Sequence, residues 1–544
     1  MRERRKLDRE ERVALIDRRL AWLAFGGVEL TGSADRRAKR QMEAWNTRAE
    51  DPRTVWVPTA DGGLRWVEPI DASDLETLSN EEVATRLAEH REWKTRQLIK
   101  TLAREKPERA FAILDLLIES GQDSNQSLLN SMASGVSEAQ DAETLCDAGS
   151  RLLRYLDQDD SSEVGGWGFL EWLQSAAKQL PIDLEKQSEF WCLWDRLWSK
   201  ALASRQSSSA GGADRITAAL NAPGGELALT LLERLWKHDL DEDAGLPENL
   251  LWRFDALVKG GSPPHLDARL MLTSRLVWLY RIDPSWCQQY LVEPMASFEP
   301  DVQQAVSLWQ AFLWPAQVSS KLWGSLKPAL WSSLRHFEAF PDSADRLLDF
   351  FAAHLLHPGA FDAEIDRKPL ADIFSRLGPK QLAIIARQFE TDLRARGLDA
   401  AQSWRERIGP FFETYWPLST DKQSPGLSAR LSTMLLQTRE AFPEATSLLL
   451  EQKPVIGRAK DIFGIVYPLT QEKASADLSD QPFPYAERFP QDLLRLLHTL
   501  VVPGTTEPWH SDRLKRLLDQ LCQSDPSLEN TDEMENLRAF LRQA

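Results

Sequence analysis

The segment HLLHPGAFDAEID places His354 and His357 three residues apart on one helix, followed by Asp362, Glu364 and Asp366. Imidazoles at i and i+3 share a helix face and occur as metal-ligand pairs in bundles. The H-E-x-x-H pattern, which adds a general base to the ligand pair, is missing. Two histidines in the turn before Pro358 also suit the negative end of a helix dipole, so the expected role is structural. A second acidic stretch, DLDEDAGLPENL, puts Asp239, Asp241 and Asp243 at the first, third and fifth positions of a calcium loop. Its sixth position is Ala244 where glycine is needed, and its twelfth is Leu250 where a bidentate glutamate is needed. It reads as an acidic interhelical loop. Glu451 and Lys453 form the Glu-x-Lys of many nucleases, at a helix end rather than on a central strand. Cys146, Cys192, Cys287 and Cys522 are far apart and form no C-x-x-C pair, so neither a disulfide framework nor a zinc site is expected. No phosphate-binding loop or nucleophile elbow occurs, and GGWGF at 165–169 lacks the strand and spacing of one. The expectation is therefore no catalytic residue, no metal and no cofactor.

Residues 307–337 carry Trp309, Trp314, Trp323 and Trp331. From Ser319, Leu322, Leu326, Leu330 and Leu334 recur every four residues, a single helical stripe with Trp323 beside it. Pro315 ends the preceding helix, and Pro328 is expected to kink or restart the next one. Indole rings bury a large area and want one partner for the N–H, so core packing is the leading expectation. A surface for a protein partner comes second and base stacking third. Farther on, SWRERIGPFFETYWP carries Arg405 and Arg407 ahead of Phe411, Phe412, Tyr415 and Trp416. The candidate partner-binding residues are Trp314, Trp323, Arg405 and Arg407, with core packing as the alternative for the tryptophans and solvation or ion pairing for the arginines.

The elements that must position these residues are helical. Ser79 with Glu82 is a capping box. KPERAFAILDLLIESG opens on Pro107 and stops at Gly121, and Ser424-Pro425 offers an N-cap followed by a first-turn proline. Similar periodic segments of 12 to 20 residues recur along the chain, each ended by Gly, Pro, Asp or Ser. The exception is TVWVPTADGGLRWVEPI, where short aromatic and β-branched runs flank a glycine turn and predict a β-hairpin near residues 54–68. The expected fold is all-α, an irregular α-solenoid of HEAT-like helical hairpins with that one hairpin. No fixed repeat period is visible. The expected division is N-terminal helices plus hairpin at 1–72 and helical array at 73–205. A Ser/Gly-rich linker at 206–215, further array at 216–470, a polar linker at 471–490 and C-terminal helices at 491–544 follow.

A chain of 544 residues, 42% hydrophobic and 27% charged, has enough apolar material for a large core without staples. Net charge is −17, the wrong sign for a surface that wraps nucleic acid. The first 40 residues run the other way, with 12 Lys/Arg against 7 Asp/Glu. Both signs mix there at helical spacing, so that stretch reads as a solvated amphipathic helix rather than a nucleic-acid arm. No signal peptide and no bilayer-spanning run is read, and a cytoplasmic location is expected.

DPSWCQQYLVEPM (283–295), LWQAFLWPAQVSSKLWGSLKPAL (308–330), SWRERIGPFFETYWP (403–417), AFPEATSLLL (441–450) and RFPQDLLRLLHTLV (488–501) occur in that order. Together they resemble the C-terminal helical region of large bacterial antiphage-defence proteins that carry a sirtuin-like or other effector module at the N-terminus. The likeness is clearest from about residue 270 to 520. After the FLW element this chain has Pro315, Ala316 and Gln317 in place of the serine and arginine of that pattern. No sirtuin-like module is read here, because helical sequence starts within the first ten residues. The resemblance then implies a sensing or scaffolding subunit that binds protein partners, with the effector a separate polypeptide. The alternatives are a nucleic-acid-binding subunit of such a system, which predicts Lys/Arg clustered on one face, and an enzyme with an unrecognised site.

Overall fold

The computed structural model describes residues 34–37, 39–40, 55–58, 64–67, 78–89, 93–119, 126–138, 142–158, 166–182, 188–204, 215–299, 301–314, 319–340, 343–356, 366–417, 422–452, 454–459, 462–470, 483–501 and 508–543. The chain divides into two units, 1–204 and 205–544. The linker expected at 206–215 and the amphipathic helix expected at the N-terminus lie almost wholly outside the described residues. Strands β1 (Val55–Pro58) and β2 (Leu64–Val67) pair antiparallel, Val55 opposite Val67 and Trp56 opposite Trp66, at the site of the predicted hairpin.

The first unit contains α1 (Asn80–Glu89), α2 (Trp93–Glu105), α3 (Pro107–Glu119), α4 (Gln126–Val136), α5 (Ala142–Gln158), α6 (Trp167–Gln179) and α7 (Ser188–Ala203). The predicted capping box forms: Ser79 N–H donates to Glu82 Oε2 at 2.8 Å and Glu82 N–H to Ser79 Oγ at 3.2 Å. Helices α2, α4 and α6 pack side by side as one layer, while α1 packs on α3 and α5 on α7 in the other. Gly168 sets the closeness of α4 and α6. A Cβ there would stand 1.8 Å from the carbonyl oxygen of Asn130, so a side chain has no room.

The second unit begins with α8 (Arg215–Leu220), α9 (Pro223–Trp236), α10 (Glu248–Val258), α11 (Pro263–Thr273), α12 (Leu276–Ile282), α13 (Pro284–Cys287) and α14 (Glu293–Ala296). It continues with α15 (Val302–Leu313), α16 (Ser320–Arg335), α17 (Ala344–Leu355), α18 (Arg367–Arg376), α19 (Pro379–Arg396), α20 (Ala400–Ser403) and α21 (Gly409–Thr414). It closes with α22 (Pro425–Leu435), α23 (Phe442–Ser447), α24 (Phe463–Leu469), α25 (Tyr485–Arg488), α26 (Pro490–Leu500), α27 (Pro508–Ser524) and α28 (Asp532–Gln543). Within this unit α9, α11, α15, α17, α19, α22, α24 and α27 contact one another in succession as one layer. Helices α16, α18, α23, α26 and α28 belong to the other. The fold is an all-α array of stacked helical hairpins.

Local chemistry sets the helix ends. Ser319, Ser424 and Asp301 accept from the N–H three residues on, each at an N-cap. Helix α16 runs on through Pro328, so the helix does not restart there. Pro328 and Gly324 both face solvent. The carbonyl four residues back, which loses its N–H partner at a proline, is therefore open to water. Three helices of the second layer instead widen into π-turns, Gln288–Val292, Trp404–Ile408 and Leu448–Gln452, each ending two residues before a proline: Pro294, Pro410 and Pro454. The Glu293 N–H reaches Gln288 O and the Gly409 N–H reaches Trp404 O, five residues back. The polar stretch 471–490 is not a linker throughout. Tyr485 is buried, its hydroxyl donates to Leu436 O at 2.5 Å, and its ring lies 4.8 Å from that of Phe442. That aromatic anchor holds α25 in the core, and 205–544 is one unit across it. No described helix is long and apolar enough to cross a membrane.

Candidate functional site

Trp323 is enclosed. It is 8% exposed and its ring stacks on His354 at 4.4 Å and 11°, with Phe350 beyond. Trp309 is fully buried and donates its ring N–H to Met295 O at 3.0 Å. Trp309, Phe312, Phe350, Trp323 and His354 form one aromatic cluster. Trp331 on Phe351, then Phe374, Phe411, Phe412, Trp416 and Trp404 form the next. Of the four tryptophans at 307–337, only Trp314, at the C-cap of α15, is open, at 54% exposure.

The two arginines separate in the same way. Arg405 is exposed and pairs with Glu444 at 2.5 Å. Arg407 turns inward: its guanidinium donates to Leu356 O, to Ser403 Oγ at 2.7 Å and to Asp392 Oδ2 at 3.2 Å. Burial pulls its pKa down while Asp392 holds it up. Trp323 and Arg407 thus both brace the C-terminal end of α17, one at His354 and one at Leu356. Both side chains are spent on contacts within the array. Trp314 and Arg405 remain as accessible candidates.

Among the acidic candidates in the described residues, Asp366 and Glu451 have partners. Asp366, nearly fully buried, pairs with Lys327 at 2.8 Å. His354 Nδ1 contacts Phe350 O at 2.8 Å. His357, Asp362, Glu364 and Lys453 lie outside the described residues, and Glu451 pairs with Arg495 at 3.0 Å. All four cysteines are free. Among the described residues no group of three or more His, Cys, Asp or Glu side chains could hold a metal ion.

Ion pairs of this kind tie hairpin to hairpin. Arg387 bonds Asp349 across 38 residues, Lys327 bonds Asp366 across 39, Arg405 bonds Glu444 across 39, and Arg430 bonds Glu390 across 40. In the first unit Tyr155 bonds Asp115 across 40 and Ser175 bonds Ser137 O across 38. In each unit these ties join residues 38 to 40 apart. The tie changes chemistry at each step, which is why the spacing is invisible in residue identity. Each bridging cation among these meets a carboxylate, so this set makes no basic stripe.

Among the described residues the exposed large hydrophobics include Leu398 and four tryptophans, Trp167, Trp236, Trp252 and Trp314. Trp236 is 65% exposed and Trp252 49%. The Trp236 ring lies 5.3 Å from that of Trp278, and the Arg253 guanidinium sits 4.0 Å over Trp252. Trp236 ends α9, and loop 239–247 follows. Asp243 N–H donates to Arg281 O and Gly245 N–H to Ile282 O, both at 2.9 Å, and Lys321 bonds both Glu242 and Asp243. The loop is a braced corner, not a calcium site. Beneath it Arg234 is buried and its pKa is pushed down to about 10. Burial and that guanidinium together lower the His238 imidazole. Sequence reasoning missed Trp236. A signal existed: the outward stripe of α9 carries Glu226 and Glu233, and Trp236 is three residues past Glu233. The first unit offers an open groove of about 540 Å³ lined by Arg104, Glu138, Glu171, Gln174 and Lys178, polar and of mixed charge.

No protein family, no curated protein and no solved structure matches the chain.

Proposed function

We propose that the chain is a non-catalytic helical scaffold, an irregular α-solenoid that binds protein partners as the sensing or scaffolding subunit of a cytoplasmic bacterial antiphage-defence system, with a separately encoded effector. The observation that carries the binding part is the exposed aromatic surface. An array that encloses Trp172, Trp194 and Trp309 completely leaves Trp236 and Trp314 mostly open. Exposed tryptophans are over-represented as anchors of protein interfaces. The defence setting is supported by the resemblance of the five ordered segments between 283 and 501. Three of these contain the π-turn helices or lead into them, and two span Trp314 and Arg405.

The test is native mass analysis of the tagged chain co-expressed with the products of its flanking genes. A stoichiometric complex with an effector enzyme is the expected result. A lone monomer that retains nucleic acid, released at high salt, would overturn the scaffold reading in favour of a nucleic-acid-binding subunit.

A further inference from the structure

Trp236 and Trp278 meet at a tilt of 46°, Trp236 largely open and Trp278 half-buried. Among the described residues no other ring stacks on Trp236. Beside it the loop presents Asp239, Asp241, Glu242 and Asp243, all exposed. Lys321 engages Glu242 and Asp243, whereas among the described residues Asp239 and Asp241 have no ion pair. The neighbouring cations are already occupied: Arg281 donates to Leu240 O, and Lys237 faces Glu233. The surface is thus an indole ledge edged by two uncommitted carboxylates on a corner that cross-bonds hold in place.

We infer that this ledge binds a basic, arginine-bearing segment of a protein partner. The inference rests on the partner-binding reading above and names its surface. A guanidinium is planar and weakly hydrated, so it lies flat on an indole face while its edge N–H groups reach carboxylates. The chain makes the first of these contacts within itself at Arg253 over Trp252, and Trp236 lacks such a cover. The net charge of −17 favours approach of a basic partner over an acidic one.

The test is fluorescence anisotropy with a labelled decapeptide of alternating glycine and arginine, read at moderate salt. Binding weakens about tenfold in Trp236→Ala and in Asp239→Asn with Asp241→Asn, and less than about threefold in Trp236→Phe, which keeps an aromatic face. The asparagines preserve the left-handed backbone at Asp239, φ 44°, so the corner stays folded. Neutralising Asp532 and Glu535, exposed on α28, leaves binding unchanged. The inference is overturned if Trp236→Ala binds within about twofold of the parent, or if the α28 pair matters as much as the loop pair. It is also overturned if an oligothymidine strand, rather than the peptide, shows the Trp236 dependence. None of these readouts uses the co-expressed complex, so the scaffold proposal stands or falls separately.

Discussion

Residues 302–416 and residues 223–287 are both rich in tryptophan, and, Trp314 apart, they use it in opposite ways. In the first stretch Trp309, Trp323, Trp331, Trp404 and Trp416 are buried and join phenylalanines into two clusters that run from hairpin to hairpin. In the second, Trp286 is buried, with its ring N–H donated to Asp255 at 3.0 Å, but Trp236 and Trp252 face outward. Residue type does not decide between these fates. What decides is the side of the helix and whether a neighbouring hairpin covers it. Where the next hairpin supplies Phe350 or Phe351, an indole becomes core. Where it supplies a braced acidic corner, an indole stays on the surface.

The comparison breaks most sharply at Trp309. Trp309→Ala removes a fully buried ring and strands the Met295 carbonyl, and should cost about 3–5 kcal/mol of unfolding free energy. The check is the denaturant midpoint of the 205–544 unit, read by a probe local to it. A loss below about 1 kcal/mol would mean that the cluster is not packed as described.

A finer version compares two residues of one π-turn. Arg407→Ala deletes charge-assisted bonds to Leu356 O, Ser403 and Asp392, and should cost about 2 kcal/mol. Arg405→Ala deletes an exposed pair with Glu444 and should cost less than about 1 kcal/mol. Equal losses in the two melting curves would erase the distinction between the inward and outward faces of this helix.

These contrasts mark what could be read in advance. Helix ends are local, so the capping box at Ser79 and Glu82 and the cap at Ser424 were legible. So was the all-α array, because its stripe periodicity does not depend on neighbours. The sequence left open whether Pro328 kinks or restarts its helix, and that the helix runs on depends on the carbonyl of Gly324 meeting water rather than protein, a tertiary fact. Tyr485 was hidden in a polar, proline-bearing stretch whose one anchor, Phe442, lies more than forty residues earlier. Exposure of the four candidate residues could not be read from the sequence, because it depends on which neighbours cover them. Trp314 and Arg405 are accessible, whereas Trp323 and Arg407 are held inside by His354, Leu356 and Asp392.

Acid distinguishes the stretches next. His238 and His265, both in 223–287, have lowered pKa values, chiefly from burial, with Arg234 and Arg269 adding to it. An imidazole whose folded pKa lies below its unfolded one takes up its proton more readily in the unfolded chain. Its contribution is complete above the unfolded pKa and is lost as pH falls through about 6.5 towards the folded value. The parent should therefore weaken as pH falls below about 6.5, and His238→Gln with His265→Gln should flatten that slope. Amide exchange read separately over the two stretches checks the location. Loss confined to 302–416 would contradict it.

The smallest expected effect is the most informative. Trp236→Ala removes the same indole as Trp309→Ala, from a position 65% exposed rather than fully buried. Its remaining contact is the tilted pair with Trp278, and such pairs contribute about 1 kcal/mol. Equilibrium unfolding should therefore move by about 1 kcal/mol or less. A cost like that of Trp309 would place Trp236 in the core and remove the ledge. A near-silent substitution that still weakens capture of an arginine segment would separate the two uses of tryptophan in this array. One side chain would hold the fold, and the other would be kept for something outside it.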